Sequence, residues 1–334
     1  PAFMLPPSLA ASRPGMTRGE AAAQYLQSFS EGASMRRPEP GFNPAVYTMH
    51  RLRDGDLLAD PYAEFLRAGR PVGPWTRPLI SGPMNGVAGA PADCRVALHI
   101  HAYYVDQLPR ILSHLAANAT RPDLLVSVTS DVDRSAASEM LRQYGGASCV
   151  SVVPNLGRDI GPLLTEFGAR LVADYDVVGH VHTKKSLVLD DPESVEAWMA
   201  FLMQNLLGGD VGGAMLDGIM DAFVRQDDLG LVFAADPNLL SWSLNAGEAR
   251  KLAPRLGLDS DVPAAFDFPV GTMFWIRAAA LAPFVQLDLG WDDYPKEPLA
   301  YDGTMLHALE RLFGLTVEAH GFKTALTNVK DMTR

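Results

Sequence analysis

The chain has 334 residues, 48% of them hydrophobic and 20% charged, enough to bury a sizeable core in one large domain or two smaller ones. Its formal charge of −11 argues against nucleic acid or a broadly anionic membrane as partner, because a polyphosphate surface favours a basic face. Two isolated cysteines, Cys94 and Cys149, exclude a disulfide framework and a cysteine zinc site, and suit a reducing, cytoplasmic compartment.

No apolar run is long enough to span a bilayer, and the opening "PAFMLPPSLAASRPG" lacks the basic-then-apolar order of a signal peptide. The start at Pro1 rather than Met leads to the expectation of a chain cut from a longer one. Residues 1–92 are rich in Pro, Gly and Ala, with short periodic stretches such as "GEAAAQYLQSF" and "DPYAEFLRAG" that predict short helices separated by turns. The stretch 73–93, "GPWTRPLISGPMNGVAGAPAD", has the composition of a linker or extended strap and marks the expected boundary.

From Arg95 onward, short β-branched runs alternate with helical periods: "RVALHIHAYY", "VDQLPRILSHLAAN", "DLLVSVTS", "DRSAASEMLRQYG", "ASCVSVVP", "IGPLLTEFGARLVADY" and "DVVGHVH". This alternation predicts a mostly parallel sheet covered by helices, with ligands gathering beyond the C-terminal ends of the strands. In the third helix, Asp159 is the expected cap, Pro162 suits the first turn, and Ile160, Leu163, Leu164, Phe167 and Leu171 share one face. Further on, a helix carries Val195, Trp198, Met199, Leu202 and Leu206 on a core stripe, and another is expected near 211–226. Strands are predicted at "LGLVFAA" and "VGTMFWIR", and a helix at "GTMLHALERLFG" precedes a last strand near "LTVEAHGF".

Three polar stretches stand out at the predicted strand ends. His99 and His101 share a face of the first strand and His180 and His182 a face of the fourth, so four imidazoles meet if those strands are neighbours. Hydrogen-bonded core histidines, a metal site and a polar ligand site are all open readings. Lys184 and Lys185 disfavour a divalent cation and suit a phosphate. In "VPNLGRDIGP", Asn155, Gly157 and Asp159 can make a turn and cap, while Arg158 would stand beside a helix N-terminus, where an anion is accommodated. In "WDDYPKEPLAYDGTMLHALERL", Asp292, Asp293, Glu297 and Asp302 lie among Trp291, Tyr294 and Tyr301. That is either a solvated acidic loop or the mixture of rings and carboxylates that a sugar site uses.

Taken together, "HIHAYY" (99–104), "PNLGRDIGP" (154–162), "YDVVGHVHTKKS" (175–186), "PVGTMFWIRAAAL" (269–281) and "DGTMLHALERLFG" (302–314) resemble the rhamnan synthesis protein F family of bacterial polysaccharide glycosyltransferases. The resemblance implies a GT-A-like, Rossmann-type, mostly parallel sheet flanked by helices over residues 93–334, with a small helical extension over 1–92. It implies a donor site at His101, Tyr103, Asp131 (with Asp133 as alternate), Asn155, Arg158, Asp159, His180, His182, Lys184 and Lys185. Acceptor contacts are expected from Trp275, Asp292, Asp293, Glu297 and Tyr301, and Asp302 is the implied general base of an inverting reaction.

The metal-binding Asp-x-Asp of that plan falls on His180-Val181-His182. No cofactor is therefore expected, and a divalent ion, if one binds, would fall to those histidines. The implied partners are a nucleotide-sugar donor, with rhamnose from dTDP-rhamnose, a glycan acceptor of lipid-linked or free form, and other domains of a longer polysaccharide-synthesis protein. The implied location is cytoplasmic and peripheral at the inner membrane. Two alternatives stay open: a non-catalytic glycan-binding scaffold, which the departure at Asp-x-Asp encourages, and a histidine-metal hydrolase.

Overall fold

Eight strands form one sheet in the order β1-β8-β6-β7-β5-β2-β3-β4, and every neighbouring pair is parallel except those made by β7. The computed structural model describes residues 36–53, 60–82, 88–183 and 192–332. The strands are β1 (Leu79–Gly82), β2 (Val96–His101), β3 (Asp123–Val128), β4 (Ser148–Val152), β5 (Val177–His182), β6 (Leu229–Ala234), β7 (Phe274–Arg277) and β8 (Lys323–Val329). Ten α-helices are described: α1 (Pro44–Arg53), α2 (Pro61–Arg67), α3 (Leu108–Leu115), α4 (Asp131–Leu141), α5 (Gly168–Asp174), α6 (Pro192–Leu206), α7 (Met215–Arg225), α8 (Ala246–Leu252), α9 (Ala278–Val285) and α10 (Met305–Ala319). None of the described helices is long and apolar enough to cross a membrane.

A parallel sheet needs both faces covered, and its strands then read as continuous apolar runs. β2 and β6 are buried along their whole length. On one face, Ile111, Leu141, Met199, Leu202, Leu206 and Ile219 from α3, α4, α6 and α7 pack over Leu98, Ile100, Val181 and Trp275. On the other, Leu171, Leu281, Phe284, Leu309 and Phe313 from α5, α9 and α10 cover Ala97, Leu125, Val178 and Phe274. This is the mostly parallel, helix-flanked sheet that the sequence led us to expect.

Several local expectations need correction. The last strand lies not at "LTVEAHGF" but after it: Thr316 and Val317 stay in α10 because both are buried in the core, and the chain turns at Gly321 (φ 84°) before β8 starts at Lys323. The third helix is not continuous. A wide π-turn over Pro162–Glu166 precedes α5, with the Phe167 amide bonded to the Pro162 carbonyl. Thr165 in that turn bonds both the Leu289 carbonyl and the Tyr294 hydroxyl. The apolar face expected of this helix is nonetheless buried, from Ile160 to Leu171.

The stretch expected as a linker supplies edge strand β1, which pairs in parallel with β8 from Leu79↔Leu326 to Gly82↔Val329. Ahead of it lies α2, the short helix expected at "DPYAEFLRAG", which Asp60 caps through the amides of Tyr62 and Ala63. Phe42, Tyr47, Tyr62 and Phe65 make a small aromatic cluster, with Phe42 stacked on Phe65 at 4.1 Å. The expected helix at "GEAAAQYLQSF" lies outside the described residues.

A buried carboxylate in the loop before β7 adds to the hold on this N-terminal piece. Asp267 receives the Arg37 guanidinium at 2.5 Å, the Asn43 amide at 2.7 Å and Arg77 Nε at 3.3 Å. Burial works to raise its carboxyl, but Arg37 and Arg77 outweigh that and hold it below the ordinary range. Asp267→Ala leaves buried guanidinium groups without their counter-charge, so it should cost about 3–5 kcal/mol, read as a lowered denaturant midpoint. Asp267→Asn, which keeps an acceptor for Asn43, should cost less.

Candidate functional site

The C-terminal ends of the parallel strands and the N-terminal end of β7 lie along one edge of the sheet. There β2 and β5 pair in register, His99 opposite His180 and His101 opposite His182. Strand alternation turns all four imidazoles to one face, where Phe167 lies 5.2 Å from His99 and Phe274 lies 5.7 Å from His180. The His99 and His180 rings stack at 4.9 Å and 10°, with their Nδ1 atoms 3.0 Å apart. His99 Nε2 and His101 Nδ1 both meet the Ser127 hydroxyl, at 3.0 and 2.9 Å. His180 Nε2 meets Asp159 Oδ2 at 3.2 Å.

Burial decides the charge of these groups. It depresses His99 well below the ordinary imidazole value, with the neighbouring histidines adding to the effect, lowers His101 to about 4, and lowers His180 against the pull of Asp159. For Asp159 burial acts the other way, but His182, the His180 hydrogen bond and His101 outweigh it, leaving the carboxyl well below its usual range. His99, His101 and His180 are thus neutral imidazoles, and their chain ends on one carboxylate.

His182 is held by the turn before β7, its Nε2 donating to the Gly271 carbonyl at 2.9 Å. That turn uses left-handed backbone at Gly271 and Thr272. A side chain at Gly271 would also meet the Trp198 ring at 2.8 Å, so the position needs glycine. The Gly271 amide donates to Glu310 Oε1 at 2.6 Å. Burial pushes Glu310 up to about 7, against the opposing pull of Arg311 and the two turn amides.

A second group assembles around the turn after β4, where Gly157 and Arg158 are both left-handed, at φ 70° and 50°. A Cβ on Gly157 would fall 2.7 Å from the Gly161 Cα, and Tyr294 closes over the same spot. Arg158 Nη1 donates to His307 Nε2 at 3.2 Å, and its Nε lies 3.8 Å from Glu297. A guanidinium can only donate, so His307 carries its proton on Nδ1 and gives it to Thr304 Oγ1 at 2.8 Å. Two residues earlier, Asp302 Oδ1 receives the buried Asn245 amide at 2.6 Å, its other oxygen receives the Leu244 amide at 3.4 Å, and Arg311 stands 4.0 Å away. Arg158 keeps 39% side-chain exposure and is a cation open to an anionic ligand at this edge.

Among the expected site residues, the fold brings together His101, Asp159, His180 and His182 in one group and Arg158, Glu297 and Asp302 in the other. Tyr103 stands beside His101, ring centroids 6.4 Å apart, and the other described residues of the expected site are not gathered into either group. Trp275 is a correction: it alternates away from Phe274 and His180, fills the space left by Gly179 on the opposite face, and donates its indole N–H to the Leu206 carbonyl at 2.9 Å. Fully buried there, it cannot meet an acceptor. Asp159 is a second correction, since its side chain goes to His180 rather than to a helix cap; Asp302 serves Asn245, and Thr304 stands at the start of α10.

Asp131 lies exposed on the first turn of α4, paired with Arg134 at 2.8 Å, and Asp133 completes the Ser130 cap. Asp293 receives the Gly290 amide in a tight turn, while Asp292, Asn155, Tyr103 and Tyr301 are exposed. Lys184 and Lys185 lie outside the described residues. Sequence reasoning missed Ser127, Asn245, Thr304, His307 and Glu310. Only His307 and Glu310 left a signal, the i, i+3 spacing that puts them on one face of α10.

The residues present do not fit a metal held by the His180–His182 pair. His180 is fully buried with both nitrogens engaged, and His182 Nε2 is bound to a carbonyl. Among the described residues no cluster of three His, Cys, Asp or Glu side chains has a metal-holding arrangement.

The model of the family described as rhamnan synthesis protein F matches residues 85–322. The uncharacterized protein WxcX of Xanthomonas campestris pv. campestris strain B100 is 30% identical over 238 residues, 70% of this chain and 32% of that protein, and a second strain gives the same figures. The match thus spans about a third of the length of these curated relatives. Among solved structures, a cytidylyltransferase from Leptospira borgpetersenii aligns with a TM-score of 0.37 at 11% identity, covering 72% of this chain and 79% of that one. Glucosyl-3-phosphoglycerate synthase from Mycobacterium tuberculosis, in complex with Mn2+, UDP and glucosyl-3-phosphoglycerate, aligns at 0.30 and 15% identity, covering 71% of each chain. TarS 1-349 from S. aureus aligns at 0.34 and 12%, covering 70% and 57%. Similarity that low transfers neither residue roles nor activity.

Glu310 makes stability depend on pH. Its folded value of about 7 lies above the ordinary 4.5, so between these the folded chain holds a proton that the unfolded chain has lost, and stability falls as pH rises, by about 3 kcal/mol in all. Glu310→Gln should therefore be more stable than the parent at pH 8, with the gap closing towards pH 4.5. Paired thermal melts across that range check it.

Proposed function

The chain belongs to the rhamnan synthesis protein F family, and on that premise we propose that it is a glycosyltransferase moving a sugar from a nucleotide diphosphate donor to a bacterial surface glycan. The finer reading is rhamnose from dTDP-rhamnose, transferred with inversion on the cytoplasmic side to a growing, lipid-linked acceptor. The observation that carries it is the presence, along one sheet edge, of an open cation at Arg158, hydrogen-bonded to His307, and of an ionised carboxylate at Asp302 ahead of the same helix.

In this reading Asp302 takes the proton of an acceptor hydroxyl while its oxygen attacks the anomeric carbon and the bond to the diphosphate breaks. Burial favours the protonated acid at Asp302, but the Asn245 amide and the Gly303 and Leu244 amides outweigh it, so the carboxyl titrates below its usual value and is free to accept a proton. The leaving diphosphate carries the electron pair away, and Arg158 offsets its charge. Lys184 and Lys185 belong to the same proposal but lie outside the described residues. The neutral histidines contribute hydrogen bonds rather than charge, and no step passes through a metal.

Asp302→Asn should reduce transfer from dTDP-rhamnose by about 10²–10⁴-fold while calorimetric donor binding stays nearly unchanged; undiminished turnover removes Asp302 from the chemistry. Arg158→Ala removes a charge-assisted contact and should weaken donor binding by about tenfold or more, whereas an unaltered Kd would place the diphosphate elsewhere.

A further inference from the structure

Five side chains from four segments form one unbroken hydrogen-bonded chain: His101 Nδ1 to Ser127 Oγ at 2.9 Å, Ser127 Oγ to His99 Nε2 at 3.0 Å, His99 Nδ1 to His180 Nδ1 at 3.0 Å, and His180 Nε2 to Asp159 Oδ2 at 3.2 Å. His99, Ser127 and His180 are completely buried, and His101 keeps 6% exposure at the open end. A neutral imidazole has one donor and one acceptor, a hydroxyl has one proton to give, and an ionised carboxylate only accepts. Those rules leave the chain a single polarity.

Asp159 can only accept, so His180 carries its proton on Nε2 and offers Nδ1 as a lone pair. His99 must then donate from Nδ1, which leaves its Nε2 to accept from the Ser127 hydroxyl. Ser127 has no further proton, so its oxygen accepts from His101 Nδ1–H. His101 is left with an unprotonated Nε2 at the strand-end edge, with no hydrogen-bond partner among the described residues.

We propose that Asp159 is a positioning residue that acts through His180, His99 and Ser127 to fix the tautomer of His101, so that His101 presents an acceptor to the cleft and holds a ligand N–H or O–H rather than a phosphate oxygen. The relay does not depend on the glycosyltransferase reading; only the identity of the ligand rests on it. The same logic gives His101 no part in holding the diphosphate. A bare imidazole nitrogen repels phosphate oxygens, which leaves that task to Arg158.

The test is the ¹⁵N spectrum of the histidine rings in the full chain, because a protonated and a bare ring nitrogen resonate far apart. In the parent, His101 should show a bare Nε2 and a protonated Nδ1; the opposite tautomer overturns the proposal. Asp159→Asn keeps the shape but can donate or accept, so the single-tautomer signal of His101 should be lost to a mixture although no hydrogen bond joins the two residues directly. An unchanged His101 in this variant also overturns it. Ser127→Ala cuts the chain, so adding Asp159→Asn to it should produce no further shift at His101, and Ser127→Thr should restore the parent signal. A purely structural role for Asp159 would not predict that loss of coupling.

Two probes then separate the ligand question. Inorganic pyrophosphate should leave the His101 Nε2 signal in place, and deoxythymidine diphosphate should shift it. Movement with pyrophosphate, or binding of the nucleotide without movement, refutes the assigned ligand contact. Failure of the nucleotide to bind at all refutes the donor reading and leaves the tautomer result standing.

Discussion

The register between β2 and β5 is the constraint on which the site depends. Pairing His99 with His180 and His101 with His182 puts polar rings side by side where a parallel sheet otherwise buries only apolar side chains. A slip of one residue would turn each pair to opposite faces and leave buried ring nitrogens unpaired, at a cost of about 1–3 kcal/mol for each. The flanking β2–β3 register is part of the same lock, because it sets Ser127 opposite His101. Asp159 then ends the chain with a charge that the imidazole N–H can satisfy.

The rest of the edge is built around that lock by two irregular segments. The Gly157–Arg158 turn uses two left-handed residues to send Arg158 towards α10, and the loop from Trp291 to Thr304 folds over it with Tyr294 against Gly157 and Glu297 beside the guanidinium. Arg311, over the Phe268 ring and bonded to the Ser241 and His307 carbonyls, braces the start of α10 against the loops before α8 and β7. Asp267 links those loops to the N-terminal piece through Arg37, Asn43 and Arg77. The extension is thus continuous with the wall of the site rather than a tethered appendage.

Much of this was legible in the sequence because it rests on periodicity. The alternation of β-branched runs with helical periods predicts the helix-flanked sheet, and residues two apart on a strand must share a face, so the approach of four imidazoles followed from one assumption, that the first and fourth strands are neighbours. Misreadings occurred where packing overrode local preference. Thr316 and Val317 look like strand but are held in α10 by burial, and Trp275 looks like a sugar-stacking ring but alternates into the core. Asp159 and Asp302 have the position of helix caps, yet each finds a better partner across the fold, in His180 and Asn245.

The sequence by itself determined the fold class, the strand ends on which polar chemistry gathers, and the residue types there, because side-chain period and turn chemistry are local properties. Only the tertiary structure decided which of those groups cooperate. Ser127 and Asn245 carry no pattern of their own and acquire a role from a partner 26 or more positions away. The charge states were likewise undecided until burial was known, since the same histidine titrates close to neutral pH in water and becomes a directional, neutral hydrogen-bonding group once desolvated between Ser127 and Asp159.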